Sequence, residues 1–270
     1  MSESHSSVGE AIRAALLTGE AEAKVFAARK VARDWRLGRL VLSFPQPMPD
    51  RPAWPAGLEP LPPARMAKRG KFGSERARIA LWHALAHIEF VAIDLALDMA
   101  GRFGKERGAA FVSDFLQVAA DEAMHFALLS RKLKALGSYY GALPVHGGLW
   151  QAAMDTADDV AAPLAVVPMV LEARGLDVTP AMIERVRRAG DEDGVRILER
   201  ILDDEIRHVA CGVKHLDEVS VERDRSSPEL WQELVEKHFR GQLKPPFNDS
   251  AREAAGLSRR YMRGIALLTL

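Results

Sequence analysis

Six side chains that can bind metal ions recur with equal spacing in the two halves of the sequence. In each half a glutamate is followed 33 residues later by a second glutamate, and a histidine stands three residues further on. The six residues are Glu89, Glu122 and His125 in the first half and Glu172, Glu205 and His208 in the second. Because carboxylate and imidazole groups together bind iron, manganese or zinc, this pattern predicts a metal site.

A glutamate and a histidine three residues apart can bind the same metal site if the segment is a helix. Residues three apart lie on one helix face, one turn apart, so both side chains can reach the same ions. One glutamate from each of two helices, with a Glu-x-x-His pair from each of two others, is the ligand set of dimetal four-helix bundles. A single Glu-x-x-His match would be weak evidence, and surface Glu–His helix pairs are the alternative interpretation. Two matched sets favour the dimetal interpretation.

The surroundings of the two upstream glutamates are apolar. Residues 79–101, around Glu89, include no lysine or arginine, and residues 160–171, just before Glu172, include no charged side chain. Burying an unpartnered carboxylate costs on the order of several kcal/mol. Two divalent cations would neutralise four carboxylates. The predicted cofactor is therefore a pair of metal ions, with iron favoured and manganese or a mixed iron–manganese pair as alternatives.

The elements that must position these ligands are predicted to be helices. Apolar residues spaced three and four apart predict helices over residues 74–103, 109–136, 149–173 and 191–219. Ser74 is a suitable N-cap of the first, and Gly101 and Gly104 are interpreted as its stop signals. Pro168 predicts that the third helix is kinked or starts late, and Thr179-Pro180 predicts the start of a separate short helix. No strand pattern is evident, so the fold class is all-α.

Domain boundaries are predicted from composition. Eight prolines between Phe44 and Pro63 exclude a helix or central strand there and predict an extended segment. The predicted divisions are N-terminal helices with a proline-rich segment over 1–70, an antiparallel four-helix dimetal bundle over 71–222, and a C-terminal helical extension over 223–270.

The composition of the chain indicates where the protein is located and which kinds of partner it can bind. Lysine plus arginine equals aspartate plus glutamate at 37 each, so no net field attracts nucleic acid, although tRNA stays open as a partner. The single cysteine excludes an intramolecular disulfide and, with a polar N-terminus, favours the cytoplasm. No membrane partner is expected, because residues 79–101 include several ionisable side chains. A small-molecule substrate is expected, and a homodimer is compatible with the sequence.

Three stretches resemble a known superfamily. They are His83-Ala-Leu-Ala-His-Ile-Glu89, Val167-Pro-Met-Val-Leu-Glu-Ala-Arg-Gly-Leu-Asp177 and Leu243-Lys-Pro-Pro-Phe-Asn248. With them the chain resembles the ferritin-like superfamily, and within it a bacterial family known only as a ferritin-like domain of unknown function. The resemblance covers nearly the whole chain. It implies a diiron-type bundle, distantly similar to the tRNA-modifying diiron hydroxylases, with its substrate unassigned.

A further likeness concerns the residues around the ligands. Asp204-Glu205-Ile206-Arg207-His208 resembles the motif of diiron oxygenases and ribonucleotide reductase small subunits. In those relatives the aspartate accepts the outer ring N–H of a histidine ligand, and the resemblance implies this role for Asp121 and Asp204. His83, His87 and Cys211 are pocket candidates, with buried packing roles as the alternative.

Two classes of active function agree with such a site, and a non-catalytic bundle in which the metals only hold the helices together is a third alternative. One is an O2-dependent oxidoreductase, a hydroxylase or oxidase acting on an organic substrate with electrons from a partner protein. The other is iron handling by ferroxidation and storage, or peroxide removal at a dimanganese centre. The long segments before and after the predicted bundle favour the enzyme, since they can cover a substrate pocket.

Overall fold

The protein is mostly helical, as the all-α prediction requires. The computed structural model describes residues 6–58, 60–61 and 74–263. Its packing divides the chain into two compact units, Met1–Gly148 and Leu149–Leu270. The predicted boundaries near residues 70 and 222 stay predictions.

The first unit is built on a long helical hairpin. Its helices are α1 (Val8–Leu16), α2 (Ala21–Arg36), α3 (Glu75–Arg107) and α4 (Ala109–Ala135), with two-residue parallel strands β1 (Ser6–Ser7) and β2 (Leu40–Val41). Only Gly108, at φ 83°, separates α3 from α4, and the two helices pack against each other. Helix α2 packs on α4, and α1 packs on α2 and α3. This hairpin places Glu89 on α3 next to the Glu122–His125 pair on α4.

The observed start of α3 agrees with the sequence prediction, but its observed end does not. Ser74 is the N-cap, and its hydroxyl accepts a hydrogen bond from the Ala77 N–H at 3.2 Å. The predicted stop at Gly101 and Gly104 is wrong, because the helix continues to Arg107. Both glycines instead permit close packing: a Cβ at Gly101 would lie 2.4 Å from the sulfur of Met48, and one at Gly104 would lie 2.6 Å from a methyl of Val112.

The second unit has one long interrupted helix facing another long helix. Its elements are α5 (Gly148–Met154), α6 (Ala161–Val166), a π-helical segment (Val167–Glu172), α7 (Ala173–Arg188), α8 (Glu192–Glu222), α9 (Ser227–His238), α10 (Asp249–Ala254) and α11 (Arg259–Met262). The third predicted helix thus starts late, at Ala161, and Pro168 lies in the wider π turn. The segments α6, π and α7 all pack on α8.

Pro180 does not start a helix, which corrects the prediction from Thr179-Pro180. It lies inside α7, where its missing N–H leaves the Leu176 carbonyl without the usual intrahelical donor. The Asn248 side-chain amide donates to that carbonyl at 3.0 Å instead. The helix therefore tolerates proline because a residue distant in sequence replaces the lost hydrogen bond.

Helix α3 is apolar enough to be compared with a membrane span. Among the described helices it alone combines the length and hydropathy of such a span, and 72% of its most apolar window is buried within the protein. That degree of burial is typical of a core helix.

Candidate metal centre

Three of the predicted ligands form a buried cluster in the first unit. The Nδ1 atom of His125 lies 3.3 Å from Oε2 of Glu89 and 3.2 Å from Oε2 of Glu122. The three residues offer ligand atoms that all lie within 4.8 Å of one another. Their side chains are nearly or wholly inaccessible to solvent. The hairpin therefore presents one imidazole and two carboxylates at a single point.

The spacing of these atoms fits the ligands of a common cation. Bonds from zinc-like ions to imidazole nitrogen and carboxylate oxygen are about 2.0–2.2 Å long. With such bonds, two ligand atoms on one ion lie about 3.0 Å apart at an octahedral angle and about 3.4 Å apart at a tetrahedral one. The observed 3.2 and 3.3 Å separations fall between those two values. The donor set and its spacing thus fit a metal ion.

Electrostatics also favours a cation at this cluster. Burial raises the pKa of Glu89 well above its ordinary value, and the neighbouring Glu122 carboxylate raises it further, while the hydrogen bond from His125 opposes the rise. Two carboxylates forced together in an apolar interior repel each other unless a proton or a cation lies between them. A divalent ion would relieve this repulsion and allow both groups to ionise.

The second unit contains the matching set on α8 and the π-helical segment. Nδ1 of His208 lies 3.6 Å from Oε1 of Glu205, and both residues are buried. Glu172 is half-buried at the last residue of the π-helical segment, which packs on α8. Among the described residues, Glu172 is in no group of three or more ligand atoms within 4.8 Å. That the two sets serve one metal pair stays a prediction from their equal spacing.

A glycine on α8 sets the approach of the π-helical segment. A Cβ at Gly212 would lie 2.4 Å from Cγ and 2.6 Å from Cβ of Pro168. The pyrrolidine ring is rigid, so it cannot rotate away from an added methyl group. Gly212 therefore fixes the spacing between α8 and the segment that ends at Glu172.

We expect Gly212→Ala to destabilise the protein by about 1–3 kcal/mol, because it overpacks this contact. Urea unfolding measures the loss, and metal analysis tests whether the shifted segment also lowers metal content. Gly175→Ala in α7 is the matched control: its Cβ would meet no atom within 4 Å, and alanine there should stabilise the helix by about 0.5–1 kcal/mol. Equal stability of the two variants would show that the Pro168 contact is unimportant.

The two aspartates that precede the Glu-x-x-His pairs have polar partners. Asp204 is almost completely buried and accepts hydrogen bonds from Arg200, at 2.7 Å, and from Arg207. Asp121 is half-buried and accepts one from the Gln117 amide at 3.0 Å. The role of both aspartates toward ligand histidines stays a prediction.

His83 and His87 hold the loop that follows α4. Nε2 of His83 accepts hydrogen bonds from the Gly141 N–H at 2.9 Å and the Leu143 N–H at 3.4 Å. Nε2 of His87 donates to the His146 carbonyl at 2.9 Å. Burial lowers the pKa of each histidine to about 4, so both rings are neutral near pH 7. Both are hydrogen-bonded core histidines, and their role in a substrate pocket stays untested.

Sequence reasoning missed Tyr140. In the neutral tautomer that donates from Nε2, Nδ1 of His87 is an acceptor, so the Tyr140 hydroxyl donates to it at 2.9 Å. The ring centroid of Tyr140 lies 5.1 Å from that of Phe90 and 5.0 Å from that of Phe126. These phenylalanines are next in sequence to Glu89 and His125. A tyrosine in a loop carries no sequence signal for such a position.

Residues 17–263 match the family described as "Protein of unknown function (DUF455)". The chain belongs to this family. An uncharacterized protein of Haemophilus influenzae is 42% identical over 203 residues, which cover 73% of this chain and 70% of that protein. No solved structure is significantly similar to the chain.

Proposed function

We propose that this DUF455 protein is a cytoplasmic dimetal carboxylate oxidoreductase of the ferritin-like type that uses O2 to hydroxylate or oxidise an organic substrate. In this proposal Glu89, Glu122 and His125 of the first unit and Glu172, Glu205 and His208 of the second bind one pair of iron ions. When bound, such a pair would supply two-electron chemistry with dioxygen. A partner protein would supply the electrons.

The buried Glu89–Glu122–His125 cluster is the observation that supports this proposal most directly. Surface Glu–His pairs on a helix would be solvated and would involve one helix only. Here two carboxylates from different helices approach one imidazole in the interior, and burial, together with their proximity, raises the pKa of Glu89. An unoccupied cluster of this kind opposes folding, whereas binding a cation makes it favourable.

The equal spacing of the second set extends the proposal from one ion to two. Glu205 and His208 are buried and adjacent on α8, as Glu122 and His125 are on α4. The Glu172 segment is π-helical, and π turns inside helices are frequent at functional sites.

Metal analysis of the purified protein tests the proposal. We expect two iron ions per chain and the absorption of an oxo-bridged iron pair in protein purified under aerobic conditions. Metal content below one ion per chain after reconstitution with ferrous or manganous ions would refute the dimetal centre. Size-exclusion chromatography after iron loading separates an enzyme from a storage protein, because storage requires a large multi-subunit cage.

A further inference from the structure

Helix α8 continues to present metal-binding residue types beyond the predicted dimetal ligands. After Glu205 and His208 the same helix carries Cys211, His215, Glu218 and Glu222 at steps of three and four. At about 100° per residue, the five from His208 onward fall within an arc of about 80° on one helix face. This face carries more metal-binding side chains than the proposed dimetal centre requires, and it runs from the buried His208 to the exposed Glu218 and Glu222.

Two members of this stripe lie close enough to share an ion. The sulfur of Cys211 and a ring nitrogen of His215 lie within 4.8 Å of each other. Their four-residue step corresponds to a rise of about 6 Å along the helix axis, which two side chains on one face can span. Cys211 is half-buried and His215 is buried. The protein therefore encloses the imidazole fully and the cysteine in part.

A carboxylate orients the imidazole of His215. Its Nδ1 lies 2.9 Å from Oε2 of Glu218. A hydrogen bond from one ring nitrogen to a carboxylate fixes the tautomer, so that the other nitrogen presents its lone pair to a metal ion. His215 is thereby prepared to act as a ligand through Nε2.

We propose that Cys211 and His215 form a second metal site. Its softer thiolate ligand suits a borderline divalent ion such as Zn²⁺. Thiolate with imidazole is a donor set that favours zinc over magnesium or calcium. Water or a ligand group would complete the coordination of the ion. Glu218 acts on the site through His215 and is a positioning residue.

This site is distinct from the proposed dimetal centre. The seven-residue step from His208 to His215 corresponds to about 10 Å along the helix axis, too far for one ion to contact both residues. The dimetal ligands are oxygen and nitrogen donors only, whereas the second site contains sulfur. Cys211 lies one turn after His208, so variants at His208 and His215 test whether the two sites are occupied separately.

Titration of the purified full-length protein with Co²⁺ tests the proposal. Cobalt bound to a thiolate gives an intense charge-transfer band in the near ultraviolet, and oxygen or nitrogen ligands do not. Cys211 is the only cysteine in the chain, so the band reports on this residue alone. We expect the band to reach the intensity of one thiolate-bound cobalt ion per chain, and to disappear in both Cys211→Ser and His215→Gln.

Variants at the other site provide the matched control. His208→Gln should lower iron content and leave the thiolate–cobalt band, whereas Cys211→Ser should remove the band and leave the iron content. Failure of the dimetal proposal thus leaves this test intact. A band absent from the wild-type protein, or unchanged in His215→Gln, would overturn the second site.

Thiol reactivity gives a measurement that needs no variant. Bound Zn²⁺ should slow the reaction of Cys211 with a thiol reagent, because the coordinated thiolate is no longer available as a nucleophile. Glu218→Gln should lower the Zn²⁺ affinity between about 10-fold and 100-fold, as expected for loss of the carboxylate that orients a ligand histidine. Equal reactivity with and without Zn²⁺ would contradict the proposal even if Cys211→Ser failed to fold.

Discussion

Replacing Glu122 by glutamine should remove most of the bound metal and yet stabilise the metal-free protein. The amide has the shape of the carboxylate without its charge. Burial is the largest cause of the raised Glu89 pKa and remains in the variant, whereas the further rise caused by the Glu122 charge is removed. Each unit by which that pKa returns toward its ordinary value is worth about 1.4 kcal/mol. Metal analysis and thermal unfolding after chelation measure the two effects.

The same variant should also change the pH dependence of stability. A carboxyl group whose pKa is raised on folding holds its proton more tightly in the native state, so stability falls as pH rises above the ordinary value of 4.5. We expect this fall in the metal-free wild type to be smaller in Glu122→Gln. The raised pKa of Asp94, about 6, affects both proteins alike and cancels in the comparison.

An exposed glutamate on α3 supplies the control for Glu122→Gln. Glu106→Gln removes a carboxylate at the solvent-facing end of the same helix as Glu89 and should leave metal content and stability unchanged. Adding ferrous ions at about 100 times the dissociation constant should stabilise the wild type by about 2.7 kcal/mol, and Glu122→Gln by much less. Full metal retention by Glu122→Gln, with lower stability, would mean that the cluster is only a hydrogen-bond network.

The helices and the first ligand cluster were the most predictable features, because they depend on local periodicity. The three- and four-residue apolar spacing indicated α3, α4 and α8 close to their observed bounds. A tight turn after α3 obliges it to pack antiparallel to α4. The antiparallel hairpin then brings Glu89 to the Glu122–His125 pair, so this contact could be predicted from the spacing of the three residues along the chain.

Features that depend on distant partners could not be predicted. Glycine is a residue type that commonly ends helices, but Gly101 and Gly104 instead allow the side chains of Met48 and Val112 to pack close to α3. Proline is common in the first turn of a helix, but Pro180 lies inside α7, and Asn248 supplies the hydrogen bond that the proline cannot. In each case the deciding contact comes from outside the local segment.

A buried ion pair between α2 and α3 also depends on residues that are distant in sequence. Nζ of Lys24 lies 2.5 Å from Oδ1 of Asp94, and both side chains are completely buried. Lys24 also donates to the Ala53 carbonyl at 2.9 Å, and the Trp54 indole donates to Oδ2 of Asp94 at 3.0 Å. The pair thus connects the proline-rich segment to the hairpin that carries the candidate metal ligands.

Asp94→Ala should destabilise the protein by about 3–5 kcal/mol, because it leaves the Lys24 ammonium buried without its counter-charge. Replacing both residues, with Lys24→Met and Asp94→Leu, should recover much of that loss, since no charge then remains in the interior. Urea unfolding of the two single variants and the double variant measures the coupling. Additive losses would show that the two side chains do not depend on each other.

Lys30→Met is the control on the same helix. Lys30 pairs with Asp34, but its side chain is 69% exposed, so its loss should cost at most about 0.5 kcal/mol. The loss of stability in Lys24→Met should lie between the losses in Lys30→Met and Asp94→Ala. The Asp94 pKa is already raised to about 6 by burial, so in this variant Asp94 can take up a proton and lose its charge. Lys24 lowers the Asp94 pKa, so without Lys24 that pKa should lie above about 6. The penalty of Lys24→Met should therefore shrink as pH falls toward about 6 and stay level below it, whereas that of Asp94→Ala should not shrink, because acid keeps Lys24 charged.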